Sequence, residues 1–404
     1  MSYLFSLYRD FQRFPQAVRL FYASDVFYGL STGISNTLLN LHLLAMGYTP
    51  DHVGILQSAG SLVIAAAAIP VGLVGDRWNR RHLYVAGSLL FGIPYLLAPW
   101  LSSFPLLVAV YALGMLGHTL MMVNESPILA GEVGPELRAS VFSFMMVNFF
   151  VWQTLGIQLS GWLANWLPVG FRSTYEWPLV IAGVLGVASG LFRVAIPFRR
   201  QPVQTRTQPF RLDRVVLMLA AVNMLGGSFT ALTYNFSNVI LANRFAFRTE
   251  QIATVLTGAG ILAWLGSLLA PGTSRRMGNA RGYAMVVALQ GVAFMGMGLA
   301  AAPGWFLPIF GIRSVLGSVQ SILFSAFAMD VTPETERATA NSIAMVGYNL
   351  GMALAAKGYG AALAANSYGL SFSVAGLLAF CTALLALVAF RQPARAEGSA
   401  AGKE

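Results

Sequence analysis

Long apolar runs separated by short polar connections organise this chain. Twelve runs can be counted, over residues 18–45, 53–75, 82–101, 104–128, 139–163, 177–197, 215–242, 251–271, 282–302, 305–329, 338–363 and 368–390. A helix needs about 20 apolar residues to cross the hydrocarbon core of a bilayer, and there it satisfies its own backbone hydrogen bonds. The pattern therefore predicts an all-α membrane protein with twelve transmembrane helices. Several connections are only a few residues long and leave no room for a folded domain outside the membrane. The first run is too long for the apolar region of a signal peptide and lacks a small-residue cleavage site, so it is expected to remain as a helix.

The most polar connection, residues 198–214, holds Pro202, Pro209 and five arginines. It separates six runs from six. The expected organisation is an N-terminal six-helix bundle (1–197), a cytoplasmic linker (198–214), a C-terminal six-helix bundle (215–390) and a cytoplasmic tail (391–404). The bundles are related in sequence. Asp25-Val-Phe-Tyr-Gly29, continuing to Asn40, aligns with Asn223-Met-Leu-Gly-Gly227, continuing to Asn238, at an offset of 198. Glu132-Val-Gly-Pro-Glu-Leu-Arg138 matches Asp330-Val-Thr-Pro-Glu-Thr-Glu-Arg337 with one inserted residue, and Met146-Val147 then matches Met345-Val346. Parallel repeats of this kind, with a solute site between them, are an architecture of transporters.

Composition agrees with lipid as the solvent: 56% of the 404 residues are hydrophobic and 10% charged, with a mean hydropathy of +0.66. A soluble domain carries about 25% charged residues. The net charge of +10 could suit nucleic acid, but no basic stripe, zinc spacing or RNP-like segment accompanies it, so no nucleic-acid partner is expected. The cations mark topology instead. One set of connections and termini holds 19 Arg and Lys, among them Arg9, Arg77, Arg138, Arg200, Arg206, Arg211, Arg275, Arg391, Arg395 and Lys403; the other side holds three, Arg172, Arg244 and Arg248. This predicts both termini on the cytoplasmic side of a cell (inner) membrane. The lone Cys381 lies in the last run and reads as a packing residue.

The connection after the second run reads Gly72-Leu-Val-Gly-Asp76-Arg77-Trp-Asn-Arg80-Arg81. It resembles the loop signature of the major facilitator superfamily, Gly-x-Leu-Ala-Asp-Arg-x-Gly-Arg-Lys, with Val74, Gly75, Asn79 and Arg81 as departures. The resemblance implies two pseudo-symmetric six-helix bundles, transport by alternating access, and a gating role for Gly72, Asp76, Arg77, Arg80, Arg81 and Arg138. Asp76 would meet the positive end of the span beginning near Ala338, with Arg77 and Arg138 as cationic partners. Asn79, which tolerates a left-handed turn, would replace the usual glycine. The matching loop of the second half, Pro271-Gly-Thr-Ser-Arg275-Arg276-Met-Gly278, has no Asp, so the latch is expected to be one-sided.

Ionisable residues inside spans are costly in hydrocarbon and mark function. Asp25 and Glu125 are the candidates for proton coupling; either could instead pair with a nearby cation such as Arg193. Arg313 and Lys357 lie in the second half and would suit an anion, a zwitterion or an external gate, while Lys357 could also snorkel. Neutral polar residues on cavity-type spans, Asn36, Asn40, Asn124, Asn148, Tyr234, Asn238, Gln320 and Asn349, join Arg313 as candidate substrate contacts. Interhelical hydrogen bonding is the alternative for each, and a helix-contact role is the expectation for His118.

These readings lead to a monomeric secondary transporter of a small-molecule substrate in the lipid bilayer. No catalytic residue, metal or cofactor is expected, and protons are the expected driving partner. Efflux of hydrophobic, drug-like compounds is slightly favoured by 27 Phe and 16 Met, whose surfaces adapt to varied ligands. Against it, the fifth run reads Gly156-Ile-Gln-Leu-Ser-Gly161 and lacks the Gly-Pro of drug-exporting relatives of the resembled family. Uptake of a small polar or zwitterionic metabolite is the alternative. A membrane-embedded enzyme is remote, because no Walker, zinc or triad pattern appears.

Overall fold

The computed structural model describes residues 11–170, 172–199, 213–333 and 336–389. Most of the linker, with Arg200, Arg206 and Arg211, lies outside them, as do Arg9 and the tail from Phe390, with Arg391, Arg395 and Lys403. Thirteen α-helices are found among the described residues. In chain order they are α1 (Gln16–Ala45), α2 (Pro50–Arg77), α3 (Arg80–Leu97), α4 (Phe104–Glu132), α5 (Pro135–Trp166), α6 (Glu176–Val194), α7 (Arg214–Phe245), α8 (Thr249–Ser267), α9 (Ala270–Met277), α10 (Asn279–Leu299), α11 (Pro303–Val331), α12 (Arg337–Ala364) and α13 (Tyr368–Ala389). Helices α2, α4, α5, α9 and α11 carry proline in their first turn, where the missing N–H costs nothing. Helix α5 runs beyond the apolar run 139–163 at both ends.

Among the described residues nine helices are long and apolar enough to cross a membrane, and ten spans result if the α8–α9 pair, bent by 41°, is one. The bend precedes Pro271, which cannot continue the α8 hydrogen-bond ladder. Helices α1 and α12 are as long, with 30 and 28 residues, but fall below that hydropathy. The reason is physical. Both run through the middle of the molecule, α1 against α5 and α6, α12 against α7 and α2, and their polar side chains meet protein rather than lipid.

Helix packing repeats. Contacts of α1 with α5 and α6, of α3 with α4 and α6, and of α2 with α4 recur as α7 with α12 and α13, α10 with α11 and α13, and α8 with α11. Besides smaller contacts of α7 with α1 and α2, two broad pairings join the repeats, α2 with α12 and α5 with α8, and these are each other's equivalents. Both close at the end of the bundle carrying the α1–α2 and α7–α8 connections, called here the Arg-poor end. At the α2–α12 crossing backbone meets backbone. A Cβ on Gly54 would lie 2.6 Å from the Ala356 carbonyl oxygen, and one on Gly360 would lie 2.7 Å from that of Pro50. Small residues permit this approach, which dispersion forces reward. At α5–α8, a Cβ on Gly161 would lie 2.9 Å from the Ala253 Cβ.

Gly360→Leu should force this crossing apart and destabilise the protein by about 1–3 kcal/mol, lowering the melting temperature in detergent. Gly358→Leu, two residues away with nothing within 4 Å of its Cβ direction, should melt like the wild type. Equal melting of the two variants would show that the crossing is not tightly packed.

Candidate functional site

Three features organise the interior of the molecule. The first is a charged hub inside the N-terminal half. Arg193, near the end of α6, is fully buried. Its Nη2 donates to Asp25 Oδ1 on α1 at 2.6 Å and its Nε to Ser24 Oγ at 3.1 Å. Nη1 donates to Ser88 Oγ on α3 at 2.9 Å and meets Met121 Sδ on α4 at 2.7 Å. Phe21, Tyr28 and Tyr84 present ring faces to the guanidinium at 5.7, 5.2 and 4.8 Å. Asp25, itself 2% exposed, is thus held in an ion pair. Half-buried Glu125 stands within electrostatic reach of both members, so the hub gathers two carboxylates around one cation.

The second feature closes the Arg-poor end. Asn40 Nδ2 on α1 donates to the Asn235 carbonyl at 2.7 Å and to Asn238 Oδ1 at 3.2 Å. Asn238 Nδ2 on α7 donates to the Thr37 carbonyl at 2.8 Å and to the Asn36 carbonyl at 3.3 Å. Each asparagine therefore bonds the carbonyl three residues before its own counterpart, and the contact maps onto itself when the repeats are exchanged. Such a self-complementary contact lies on a two-fold axis. Gln57 of α2 extends it, donating to Asn40 Oδ1 at 3.0 Å and accepting from the Tyr111 hydroxyl at 3.0 Å. Asn40 and Asn238 are both 3% exposed, so their amides are spent on each other's helix.

Next to this clasp is a chamber. Tyr234 of α7 is 69% exposed, yet it lies in electrostatic reach of Tyr95, Tyr111 and Tyr348, from α3, α4 and α12. Its open surface faces the space between the halves rather than lipid. Across from the hub, half-buried Arg313 of α11 places its guanidinium 5.5 Å from the Phe294 ring centre, with Tyr348 as its electrostatic neighbour. Gln290, fully buried on α10, donates to Gln320 Oε1 on α11.

Asn148 and Asn349 are hydrogen-bonded within the bundle. Asn148 donates to the Tyr22 carbonyl at 3.1 Å and accepts from Trp152; Asn349 donates to Met345 in its own helix at 3.0 Å. His118 stands 3.2 Å from the Tyr28 hydroxyl, in the helix-contact role expected of it. Asn36 is exposed and contributes its carbonyl, and Lys357 is exposed.

In the loop signature, the bonded partner of Asp76 is Arg80, four residues on, whereas Arg77 and Arg138 are exposed. Asp76 ends α2 and Arg80 opens α3, so the sharp turn points the two at each other. Arg80 also donates to Asn124 Oδ1 at 3.3 Å, drawing Asn124 into the loop. A Cβ on Gly75 would sit 2.5 Å from that oxygen, whereas one on Gly72 would touch only Val123 at 3.8 Å. Arg81 donates to the Val194 carbonyl at 2.9 Å. Asn79 does not adopt the left-handed turn: with φ −68° it caps α3 by accepting from the Arg81 N–H. The α12 start, where Asp76 was expected, adjoins residues 334 and 335, outside the described residues. In the second half, Ser274 holds the position of Asp76 and donates to Asn279 Oδ1 at 2.6 Å, while Asn279 donates to Asp330 at 2.6 Å.

Two helical repeats, sealed together at one end around a polar chamber, define a membrane transporter. Residues 22–356 and 216–404 match the Major Facilitator Superfamily, and the chain belongs to that family, one of transporters rather than enzymes. It is 26% identical over 280 residues to the 4-hydroxybenzoate transporter PcaK of Pseudomonas aeruginosa, covering 66% of this chain and 60% of that one. It is 23% identical over 226 residues to a chloramphenicol resistance protein of Streptomyces lividans, covering 54% and 57%. The matches thus span little more than half the length of these relatives. The nucleoside transporter NupG has the same fold, with a TM-score of 0.75 at 13% identity over 94% of this chain and all of that one.

Removing one member of a buried ion pair leaves the other uncompensated, at a cost of about 3–5 kcal/mol. Asp25→Asn and Arg193→Met should each destabilise the protein by that order. The double variant should lose clearly less than the sum in thermal melts. Strict additivity would mean the pair is not coupled.

Proposed function

We propose that this chain is a secondary active transporter of twelve spans, with halves 1–197 and 215–390 rocking about the axis through Asn40 and Asn238. The Arg-rich end, including the linker 198–214 and the tail, faces the cytoplasm of a cell (inner) membrane, as the distribution of 19 cations against three supports. The observation that carries the reading is the reciprocal asparagine clasp, a neutral contact between the halves at one end beside a polar chamber. With the Arg-poor end sealed, this conformation is the inward-facing one. The outward-facing one requires the clasp to part and the Asp76 loop to engage.

Coupling to protons falls to Glu125 in this reading. Asp25 is matched by Arg193, so in the hub Glu125 is the carboxylate whose charge no cation balances. A proton on Glu125 neutralises that excess, and its loss restores it. Net negative charge in a low-dielectric bundle is unfavourable, which ties proton occupancy to how open the hub is to water. Uptake of a polar metabolite has a charged chamber and the likeness to a 4-hydroxybenzoate transporter in its support; efflux of hydrophobic compounds has composition and the likeness to a chloramphenicol resistance protein.

In a Cys381→Ser background, Tyr234→Cys should react with a membrane-impermeant maleimide from the cytoplasmic face of vesicles and, more slowly, from the opposite face. Labelling from a single face under all conditions would refute alternating access here. A second test uses 4-hydroxybenzoate, named for one relative, in proteoliposomes. An inward pH gradient should drive its accumulation by the wild type, whereas Glu125→Gln should retain exchange and lose the pH drive. An undiminished drive in that variant would remove Glu125 from coupling.

A further inference from the structure

The charges of the two halves are matched differently. In the N-terminal half Arg193 has Asp25 at 2.6 Å and Glu125 in reach. In the C-terminal half Arg313 has neither. Ion pairs among the described residues include Asp51 with His52, Asp76 with Arg80, and Asp25 with Arg193. None involves Arg313, whose charge stands beside the Tyr348 hydroxyl and over the Phe294 ring. Acids described in the second half lie at its two ends, Glu250 opening α8 and, at the other, Asp330 closing α11 and Glu336 preceding α12. A guanidinium left without a carboxylate in the middle of a bundle is expensive, so its retention calls for an anion.

The surroundings of Arg313 are shaped for one. Its Nε and the neighbouring Gln290 Oε1 are buried without a hydrogen-bond partner among the described residues. Gly317 lies between them. A Cβ there would stand 3.9 Å from the Arg313 Cζ and Nη2 and 3.9 Å from Gln290 Oε1, so the glycine leaves a methyl-sized space bordered by donors and an acceptor. Gly226 of α7 repeats the device on the next side, its Cβ direction facing Gln320 Nε2 at 3.8 Å and Asn223 Oδ1 and the Tyr283 hydroxyl at 3.9 Å. Gln290 and Gln320, bonded to each other, connect the two spaces. A planar guanidinium presents a fork that fits a carboxylate through two N–H bonds. Around it the surfaces are aromatic: Phe294 beneath, Tyr348 beside, and the open ring of Tyr234 on the axis.

We propose that Arg313 is the anchor for the carboxylate of a small organic anion with an apolar, flat body, the body lying against Tyr234 and Tyr348 and the polar edge reaching Gln290 and Gln320. This names the substrate class of the chamber and rests on the transporter reading. It also assigns the asymmetry of the chain: the N-terminal half carries the matched charges and the excess carboxylate, and the C-terminal half holds a cation that the substrate matches. An anion entering with a proton on Glu125 would leave the chamber electrically balanced in each loaded state.

The test is binding to the purified full-length protein, using benzoate, its neutral isostere benzamide and the cation benzylamine. Thermal stabilisation and a titratable change in intrinsic fluorescence are expected with benzoate and not with the other two. Arg313→Gln should weaken benzoate binding at least about tenfold, the size of a lost charge-assisted hydrogen bond, and Arg313→Lys should recover part of it. Should Arg313→Gln fold poorly, the wild type serves instead: modification of Arg313 by phenylglyoxal, followed by peptide mass spectrometry, should be slowed by benzoate and not by benzamide. Stabilisation by benzamide or benzylamine but not benzoate, no binding of benzoate, or undiminished binding by Arg313→Gln would each overturn the assignment. Maleimide labelling of Tyr234→Cys from both faces, which needs no substrate, would meanwhile leave the transporter reading standing.

Discussion

A guanidinium inside a membrane bundle keeps its charge, so the protein must supply both a counter-ion and acceptors for its N–H groups. Arg193 draws these from α1 and α3, takes a sulfur contact from α4, and projects from α6. Four of the six helices in the N-terminal half are thereby tied to one side chain. Three aromatic faces fill the remaining directions, where water would otherwise enter. Once this hub is set, the depth of α1 relative to α6 follows, and with it the height at which Asn36 and Asn40 emerge toward the other half.

The clasp beyond the hub is of another kind. Its bonds run between neutral amides and carbonyls, each worth on the order of 1 kcal/mol or less inside a membrane protein. An ion pair there would be hard to break and costly to leave broken. Neutral amides can separate and find water or other carbonyls, as a gate opened in every cycle requires. The two-fold reciprocity adds economy, since one residue type at one repeat position supplies both sides of the seal. The backbone crossings at Gly54 with Gly360 and at Gly161 flank the clasp and exclude water from it.

Symmetry in the backbone therefore coexists with asymmetry in the chemistry. Asp25 has its repeat equivalent in Asn223, which donates to the Ala344 carbonyl at 2.7 Å. Asp76 has its equivalent in Ser274. At each position the first half keeps a charge where the second keeps a neutral hydrogen-bonding group, and Arg313 is left facing the chamber without a protein counter-ion. In the proposed reading this division puts proton-linked chemistry and solute recognition on opposite walls of one space.

Much of this was legible from the amino-acid order. Run length and charge distribution depend on the bilayer as solvent, a condition that acts on each segment separately, so the all-helical membrane class and the repeat could be read directly. The loop from Gly72 to Arg81 announced the family because its turn is local. Partner choice was another matter. Asp25 could equally have faced a cavity or Arg193, 168 residues away, and Asn40 could have met a solute rather than Asn238. Gln57, Gln290, Tyr95 and Tyr111 carried no signal above the polar and aromatic background of the spans. Within a helix every side chain has a fixed direction, but which neighbour lies in that direction is set by how the helices cross. Tertiary packing alone therefore decided that Arg193 is matched by Asp25 while Arg313 Nε is left without a partner among the described residues.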